Sequence, residues 1–241
     1  MLLAIDIGNT RIKAAVFENT SLLQHFVFDA ADAETGFQNI FESYIISDVI
    51  QSTVTNEDIQ KLIPAHILIH KIDRSCRFPY INNYQTPQTL GLDRMVLTAG
   101  AVLQYPNVNR LIIDAGTCIT YDFINSDDVY KGGAISPGIG LRYSSMHNYT
   151  AKLPMLSREQ PKDFIGNSTA ESMHSGVVNG VVFEIDGFIS RYAEKYSNFI
   201  IILTGGDTVF LADRLKNTIF ANSNFLLESL NLIFQHKIKN D

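Results

Sequence analysis

The chain has 241 residues, of which 46% are hydrophobic, and a formal net charge of −6 at pH 7. This length can bury the core of one large domain or of two smaller ones. The negative balance, without any Lys/Arg block, argues against binding to nucleic acid or to a membrane surface. No apolar run reaches the roughly 20 residues that would span a bilayer.

A cytoplasmic location is expected from the N-terminus and from the cysteines. The sequence begins directly with strand-like residues, so no secretory signal is predicted. Cys76 and Cys118 are the two cysteines. So few thiols are typical of a reducing compartment and provide no disulfide or zinc framework.

The first half of the chain predicts the order β-β-β-α-β-α-β, because short apolar runs alternate with turn residues and helical stretches. The predicted strands cover residues 2–7, 11–17, 21–28, 48–53 and 66–72. The predicted helices cover residues 36–44, 57–62 and, after these strands, 95–103.

The second half repeats this order. Its predicted strands cover residues 111–114, 119–124, 129–135, 198–203 and 218–220. Helices are predicted at 141–149, from a capping box at Ser168 and Glu171 through Arg191, just after Asp207, and at 226–236. The repeat predicts two α/β domains, 1–110 and 111–241, that face a cleft.

Each half opens on a strand that ends in an Asp-x-Gly turn. The turns are residues 6–10 (Asp-Ile-Gly-Asn-Thr) and 114–117 (Asp-Ala-Gly-Thr). The Gly permits a tight reversal, the carboxylate can hold a hydrated cation, and the backbone N–H groups suit phosphate oxygens. One such turn alone is better explained as an ordinary hairpin. Two copies that open two similar halves favour a nucleotide-phosphate site.

A third motif, Gly91-Leu92-Asp93-Arg94, precedes the helical run at 95–103. An acid in the first turn of a helix is stabilised by the helix dipole, and the adjacent Arg can bind a carboxylate through two hydrogen bonds. Taken alone, the motif also fits a simple N-terminal cap with a solvated Arg.

Together these motifs resemble the type III pantothenate kinases. The resemblance is carried by residues 6–13, Tyr84, 91–94, 114–117, 132–138 (Gly-Gly-Ala-Ile-Ser-Pro-Gly) and 204–207 (Thr-Gly-Gly-Asp). It implies duplicated ribonuclease H-like domains, as in the acetate kinase, sugar kinase, heat-shock chaperone and actin superfamily, with the active site in the cleft between them. The implied reaction is ATP-dependent phosphorylation of pantothenate to 4′-phosphopantothenate, the first step of coenzyme A synthesis.

The resemblance also implies roles for the two turns. ATP binding is assigned to Asp6, Ile7, Gly8, Asn9, Thr10, Arg11, Ile12, Lys13 and Thr117. Asp6 is expected to place Mg²⁺, through water, and Asp114 to hold a monovalent cation, K⁺ or NH₄⁺. For Arg11, a solvated charge at the end of a strand is the preferred interpretation.

Asp93 corresponds to the catalytic base of the family. Phosphoryl transfer needs alignment, charge neutralisation and a group that accepts the proton of the attacking hydroxyl. Pantothenate binding is assigned to Tyr84, Gly91, Leu92, Asp93, Arg94 and Thr169. Without the resemblance, Tyr84 would be interpreted as a packed loop aromatic.

In the family, the threonine that corresponds to Thr169 is donated across a dimer interface, so a homodimer is expected. The helix that Thr169 opens has an apolar face suited to a partner helix or, equally, to burial in its own domain. That face consists of Val177, Val178, Val181, Val182, Ile185 and Ile189.

Two other classes of function remain open. A non-catalytic regulator, an accessory factor of transcription, is disfavoured by the intact Asp93 and both phosphate turns. A chaperone-type or other-substrate ATPase of the same superfamily is disfavoured by the Gly91–Arg94 motif with Tyr84 upstream.

Overall fold

The computed structural model describes residues 1–8, 11–53 and 59–240. They form two compact units. The first contains Met1–Pro106, Asp128–Tyr130 and the chain from Asn224 onward, and the second contains Asn107–Asp127 and Lys131–Ser223.

The first unit is built on a five-stranded sheet with the order β3-β2-β1-β4-β5. Its strands are β1 (Leu2–Ile7), β2 (Arg11–Glu18), β3 (Ser21–Asp29), β4 (Asp48–Thr53) and β5 (Leu68–Lys71). Alternate apolar positions of β1, β2 and β4 face a core that is closed by Phe37 and Ile40 of helix α1 (Ala33–Ser43). Helix α2 (Leu92–Gln104) also belongs to this unit.

A short strand, β6 (Ile81–Asn82), runs parallel to Val129 and Tyr130. These two residues cluster with the first unit and open β9 (Val129–Pro137).

The second unit has the strand order β11-β10-β7-β8-β9. Its other strands are β7 (Asn109–Ala115), β8 (Cys118–Ile124), β10 (Phe199–Thr204) and β11 (Phe220–Ala221). Its helices are α3 (Ile139–Asn148), α4 (Thr169–Lys195) and α5 (Thr208–Ala212).

The same strand pairing surrounds the central strand of each sheet. In the first unit, β1 is antiparallel to β2 and parallel to β4. In the second, β7 is antiparallel to β8 and parallel to β10. Asp6 and Asp114 therefore occupy equivalent places near the carboxyl ends of the two central strands.

The apolar face of α4 is buried within the second unit. Val177, Val181, Ile185 and Ile189 belong to the core that covers β7 and β8, and Val178 is also buried. Burial in its own domain, the second of the two expectations for this face, is therefore observed.

The last helix, α6 (Phe225–Asn240), packs in the first unit against α2, β1, β2 and β4. At its crossing with α2, a Cβ atom on Gly100 would lie 1.9 Å from Ser229 Oγ, so only glycine fits there. The repeat-based division at 110/111 groups α6 with the second half, whereas its contacts lie in the first unit.

None of the described helices, including the 27-residue α4, has the length and apolar composition needed to cross a membrane.

Candidate active site

Asp6 lies at the end of β1 between two polar neighbours. Lys13 on β2 and Ser52 on β4 occupy the paired register positions, and Ser52 Oγ donates a hydrogen bond to Asp6 Oδ1 at 3.2 Å. The Gly8 N–H donates to the Arg11 carbonyl at 3.1 Å. Asn9 and Thr10, two of the predicted ATP-binding residues, lie outside the described residues.

Burial raises the pKa of the Asp6 carboxyl to about 6. Lys13 and Ser52 oppose this shift, and the negative charge of Asp93 adds to it. The charge of Asp93 thus acts on a partly buried Asp6, an arrangement that favours a divalent cation as counter-ion.

The other predicted ATP residues of this segment divide into two groups. The side chains of Ile7 and Ile12 are fully buried in the core, so only their backbone groups remain for a ligand. Arg11 is exposed, and its Nε lies 3.5 Å from Asp29 Oδ1. This exposed ion pair agrees with Arg11 as a surface charge.

The carboxylate of Asp93 folds back against the first turn of α2. Asp93 Oδ1 accepts a hydrogen bond from the Arg94 backbone N–H at 2.8 Å. A Cβ atom on Gly91 would lie 2.3 Å from the same oxygen, so a side chain at this position would displace the carboxylate. Leu92 is buried and anchors the start of the helix.

Arg94 is buried beneath two tyrosines. It is 5% exposed, and its Nη2 donates to the Tyr130 hydroxyl at 3.0 Å. Its Cζ lies 6.0 Å from the centre of the Tyr84 ring, the outer limit of a cation–π contact. The structure therefore brings Arg94 and Tyr84 together. Tyr130 was missed because a tyrosine in a strand has no distinguishing sequence signal.

In the second unit, Asp114 pairs in register with Thr204 on β10 and Thr120 on β8. The turn after β10 lies directly against it, because a Cβ atom on Gly205 would be 2.4 Å from Asp114 Oδ1. Gly205 also has φ +96°, a conformation that favours glycine.

Two backbone hydrogen bonds hold neighbouring segments to the turn at 114–117. The Asp207 N–H donates to the Ala115 carbonyl and the Gly138 N–H to the Thr117 carbonyl, both at 2.9 Å. The Thr117 side chain is exposed beside them.

The carboxylate of Asp207 forms an ion pair with Arg158. Burial raises the pKa of the Asp207 carboxyl, while the Arg158 guanidinium opposes the shift. Arg158 lies in an irregular segment before α4 and gave no sequence signal.

Thr169 is the exposed first residue of α4. Half of the predicted capping box forms, because Ser168 Oγ accepts from the Glu171 N–H at 3.2 Å. Glu171 Oε2 accepts from the N–H of Asn167, one residue before the cap, at 3.4 Å. Thr169 borders a groove of about 1020 Å³ in the second unit. The groove is also lined by Arg142, Met146, Leu153, Asn167 and Met173.

Within the described ranges, no group of three or more His, Cys, Asp and Glu side chains is placed to hold a metal ion.

Two solved structures share the fold of this chain over nearly its whole length. A Baf family protein from Campylobacter jejuni has a TM-score of 0.62 at 20% identity and covers 98% of this chain and 99% of its own. The inorganic polyphosphate/ATP-glucomannokinase from Arthrobacter sp. strain KM has a TM-score of 0.50 at 16% identity, with coverage of 98% and 99%. The fold is that of the two-domain α/β superfamily that includes sugar kinases, as predicted.

Sequence comparison narrows this class to one family. The family model for type III pantothenate kinase matches residues 2–191. The type III pantothenate kinase of Flavobacterium johnsoniae is 57% identical over 244 residues, covering 100% of both chains. The chain therefore belongs to the type III pantothenate kinase family, and the prediction from its motifs is confirmed.

Proposed function

We propose that this protein transfers the γ-phosphoryl group of ATP to pantothenate and forms 4′-phosphopantothenate, the first step of coenzyme A synthesis. The observation that carries the proposal is the raised pKa of Asp6, to which burial contributes most and the negative charge of Asp93 adds. This effect supports Asp6 as a candidate cation-binding carboxylate near the candidate base Asp93, in a chain 57% identical to a type III pantothenate kinase.

Asp93 is the proposed base. Its Oδ1 accepts the Arg94 N–H, which orients the carboxylate, and Asp93 remains partly exposed. It would accept the proton of the attacking hydroxyl as the bond to phosphorus forms. Asp93 therefore contributes a positioned proton acceptor rather than a nucleophile.

Asp6 and Lys13 would bind the ATP phosphates, together with the Gly8–Thr10 turn. Asp6 fits Mg²⁺ because its partly buried carboxylate, near a second negative charge, is stabilised by a cation. The ion would be held through water, and it would supply charge neutralisation on the transferred phosphoryl group. Ile7 and Ile12 would contribute backbone groups, and Arg11 the rim of the site.

The acceptor would be bound by Tyr84 and the Gly91–Arg94 segment. Arg94 is already bonded to Tyr130, so it would meet the pantothenate carboxylate as a fixed rather than a mobile cation. This arrangement lowers the ordering cost of binding.

We also propose ligands for the turn at 114–117. Thr117 would contact a phosphate, and Asp114 would hold K⁺ or NH₄⁺. The support for a bound cation is a side-chain carboxylate among threonines at 120 and 204, in register on either side.

Thr169 would contact pantothenate in the site of a second copy, which makes the enzyme a homodimer. The exposure of Thr169 beside a large groove supports this role. A cytoplasmic enzyme is supported by Cys76 and Cys118, which are both free thiols.

Purified protein is assayed for ADP release with MgATP, with and without pantothenate, in buffers of K⁺ or Na⁺. We expect ADP release only with pantothenate, a product heavier by one phosphoryl group in mass spectrometry, and a much lower rate in Na⁺. Equal rates in K⁺ and Na⁺ would contradict only the monovalent-cation site at Asp114, and the proposed kinase activity would stand.

The two alternatives give different results in the same assay. Pantothenate-independent ATP hydrolysis would indicate an ATPase with another acceptor, and MgATP binding without turnover would indicate a regulator. The regulatory alternative is not favoured, because the family model and the Flavobacterium relative both carry the kinase name.

A further inference from the structure

Glu184 on α4 is the centre of a hydrogen-bond network in the second unit that the proposed mechanism does not use. Its Oε1 accepts from the Tyr121 hydroxyl at 2.8 Å and from the Ser136 hydroxyl. Its Oε2 lies 2.5 Å from Arg142 Nη2. One carboxylate thus connects β8, β9, α3 and α4.

The hydrogen bonds of this network favour the ionised form of Glu184. Burial alone would raise the pKa of Glu184, yet the hydrogen bonds from Ser136, Arg142 and Tyr121 outweigh it and lower that pKa. Charge-assisted hydrogen bonds of this kind are about twice as strong as neutral ones. The ionised Glu184 therefore fixes the orientation of its partners.

Arg142 also bonds to the segment that contacts the turn at 114–117. Its Nε donates to the Pro137 carbonyl at 2.9 Å, and the next residue, Gly138, donates its N–H to the Thr117 carbonyl at 2.9 Å. A continuous path of hydrogen bonds and one peptide link thus leads from Glu184 to Thr117. Ser136, immediately before Pro137, provides a second route from the same carboxylate.

We infer that Glu184 is a positioning residue for the second phosphate turn, acting through Arg142 and the Ser136–Gly138 segment on Thr117. Its function would be to hold the turn in the geometry that receives a nucleotide phosphate, without contacting the nucleotide itself. The functional meaning of this role rests on the proposed kinase activity.

The test compares Glu184→Gln, Arg142→Lys and the double variant with the parent enzyme. Gln keeps an acceptor for Tyr121 and Ser136 and loses the charge that holds Arg142. Lys keeps a positive charge and loses the Nε bond to Pro137. Glu194→Gln is the matched control, because Glu194 lies on the same helix in an exposed ion pair with Arg191.

The primary readout is the Kd for MgATP without pantothenate, by calorimetry, at a temperature where near-UV circular dichroism shows every variant folded. We expect Glu184→Gln and Arg142→Lys each to weaken MgATP binding by on the order of tenfold. Glu194→Gln should bind like the parent. The double variant should bind no more weakly than the weaker single variant, because both changes break one path.

Steady-state kinetics separates positioning from general damage. The KM for ATP should rise in Glu184→Gln while the KM for pantothenate stays within about twofold, since one phosphate turn is affected. An unchanged Kd for MgATP, additive losses in the double variant, or equal rises of both KM values would overturn the inference. If Glu184→Gln does not fold, Ser136→Ala removes a single donor, and we expect roughly threefold weaker MgATP binding from it.

The binding measurement also separates this inference from the proposed function. A parent protein that binds MgATP but does not phosphorylate pantothenate would contradict the function. The same comparison of Kd values would still test whether Glu184 positions the turn.

Discussion

At the scale of single residues, the raised pKa of Asp6 means that its ionised form costs free energy when no cation is bound. The pKa is about 6 in the folded chain and 3.8 in the reference state. Between these values the folded chain keeps a proton that the unfolded chain releases. Stability therefore falls as pH rises through this window, and the full cost is present above pH 6.

Asp6→Asn is expected to stabilise the ligand-free protein at neutral pH while it abolishes kinase activity. The shift corresponds to at most about 3 kcal/mol, and partial exposure reduces the expected gain to about 1–2 kcal/mol. The measurement is the free energy of unfolding in urea at pH 7.5 and at pH 4. The advantage of the variant should be present at pH 7.5 and nearly absent at pH 4, and a gain that does not depend on pH would contradict the assignment. Asp29→Asn, at an exposed position, is the control.

Asp93→Asn is expected to lower kcat by about 10²–10⁴-fold, the usual cost of removing a general base. Asn keeps an oxygen that can accept the Arg94 N–H, so the start of α2 should remain folded. MgATP binding, measured by calorimetry, should survive because the phosphate turns are unchanged. Activity within a few-fold of the parent enzyme would remove Asp93 from the mechanism.

Three of the residues that the sequence identified lie near the end of a strand or in the first turn of a helix. Asp6, Asp93 and Asp114 follow apolar runs or open a helix, so their motifs are visible without coordinates. Tyr130 and Glu184 stand out by their bonds to residues that are distant in sequence, among them Arg94 and Arg142. Such pairing depends on packing that local sequence does not encode.

At the scale of elements, the approach of the β9–α3 corner to the second turn depends on Gly138. A Cβ atom there would lie 2.0 Å from the Gly116 carbonyl oxygen and 2.7 Å from that of Thr117. Both clashes are with backbone, so no side-chain rotation relieves them.

Gly138→Ala is therefore expected to raise the KM for ATP by about tenfold or more and to destabilise the protein by about 1–3 kcal/mol. Gly140→Ala is the matched control, because a Cβ atom on Gly140 meets nothing within 4 Å. Since Ala is favoured over Gly in a helix, that variant should be equal to the parent or slightly more stable. Thermal unfolding and ATP titrations compare the two. Equal thermal stability and equal KM values for ATP in the two variants would show that the β9–α3 corner can move to accommodate a side chain at position 138.

The bounds of strands with a strong apolar pattern were predicted closely. A strand that exists only through its pairing with another strand was not predicted. The predicted bounds of β1 and β4 agree with the structure. The two-residue β6 was missed, because a strand of that length has no periodicity and exists through its pairing with β9. Helix α3 begins at Ile139, two residues before its predicted start, because Gly138 rather than a polar side chain caps it.

At the scale of the whole molecule, the proposed homodimer can be tested by mixing two inactive variants, Asp93→Asn and Thr169→Arg. A mixed dimer would contain one site with both Asp93 and Thr169 intact. Random exchange makes about half of the dimers mixed, so roughly a quarter of all sites should recover activity. ADP release is measured before and after exchange, with each variant alone at the same total concentration as the control. No recovery after demonstrated exchange would place Thr169 in the site of its own chain.

Local sequence patterns say little about which structural unit each element joins. The repeated order of elements predicts a boundary at 110/111, yet α6 packs against α2 in the first unit. In the first unit, Ser229 of α6 occupies the space left by Gly100 of α2, a fit between two residues far apart in sequence.

The return of α6 to the first unit has a consequence for biosynthesis. A ribosome releases the first sheet early, but the helix that covers it emerges only after residues 107–223 have been synthesised. During that interval, the apolar surface that α6 covers has no partner in the nascent chain. Domains commonly fold as units in the order of their synthesis. Here the unit that begins first can be completed only after the other has left the ribosome, so translation speed through the second unit sets how long this surface stays open to aggregation.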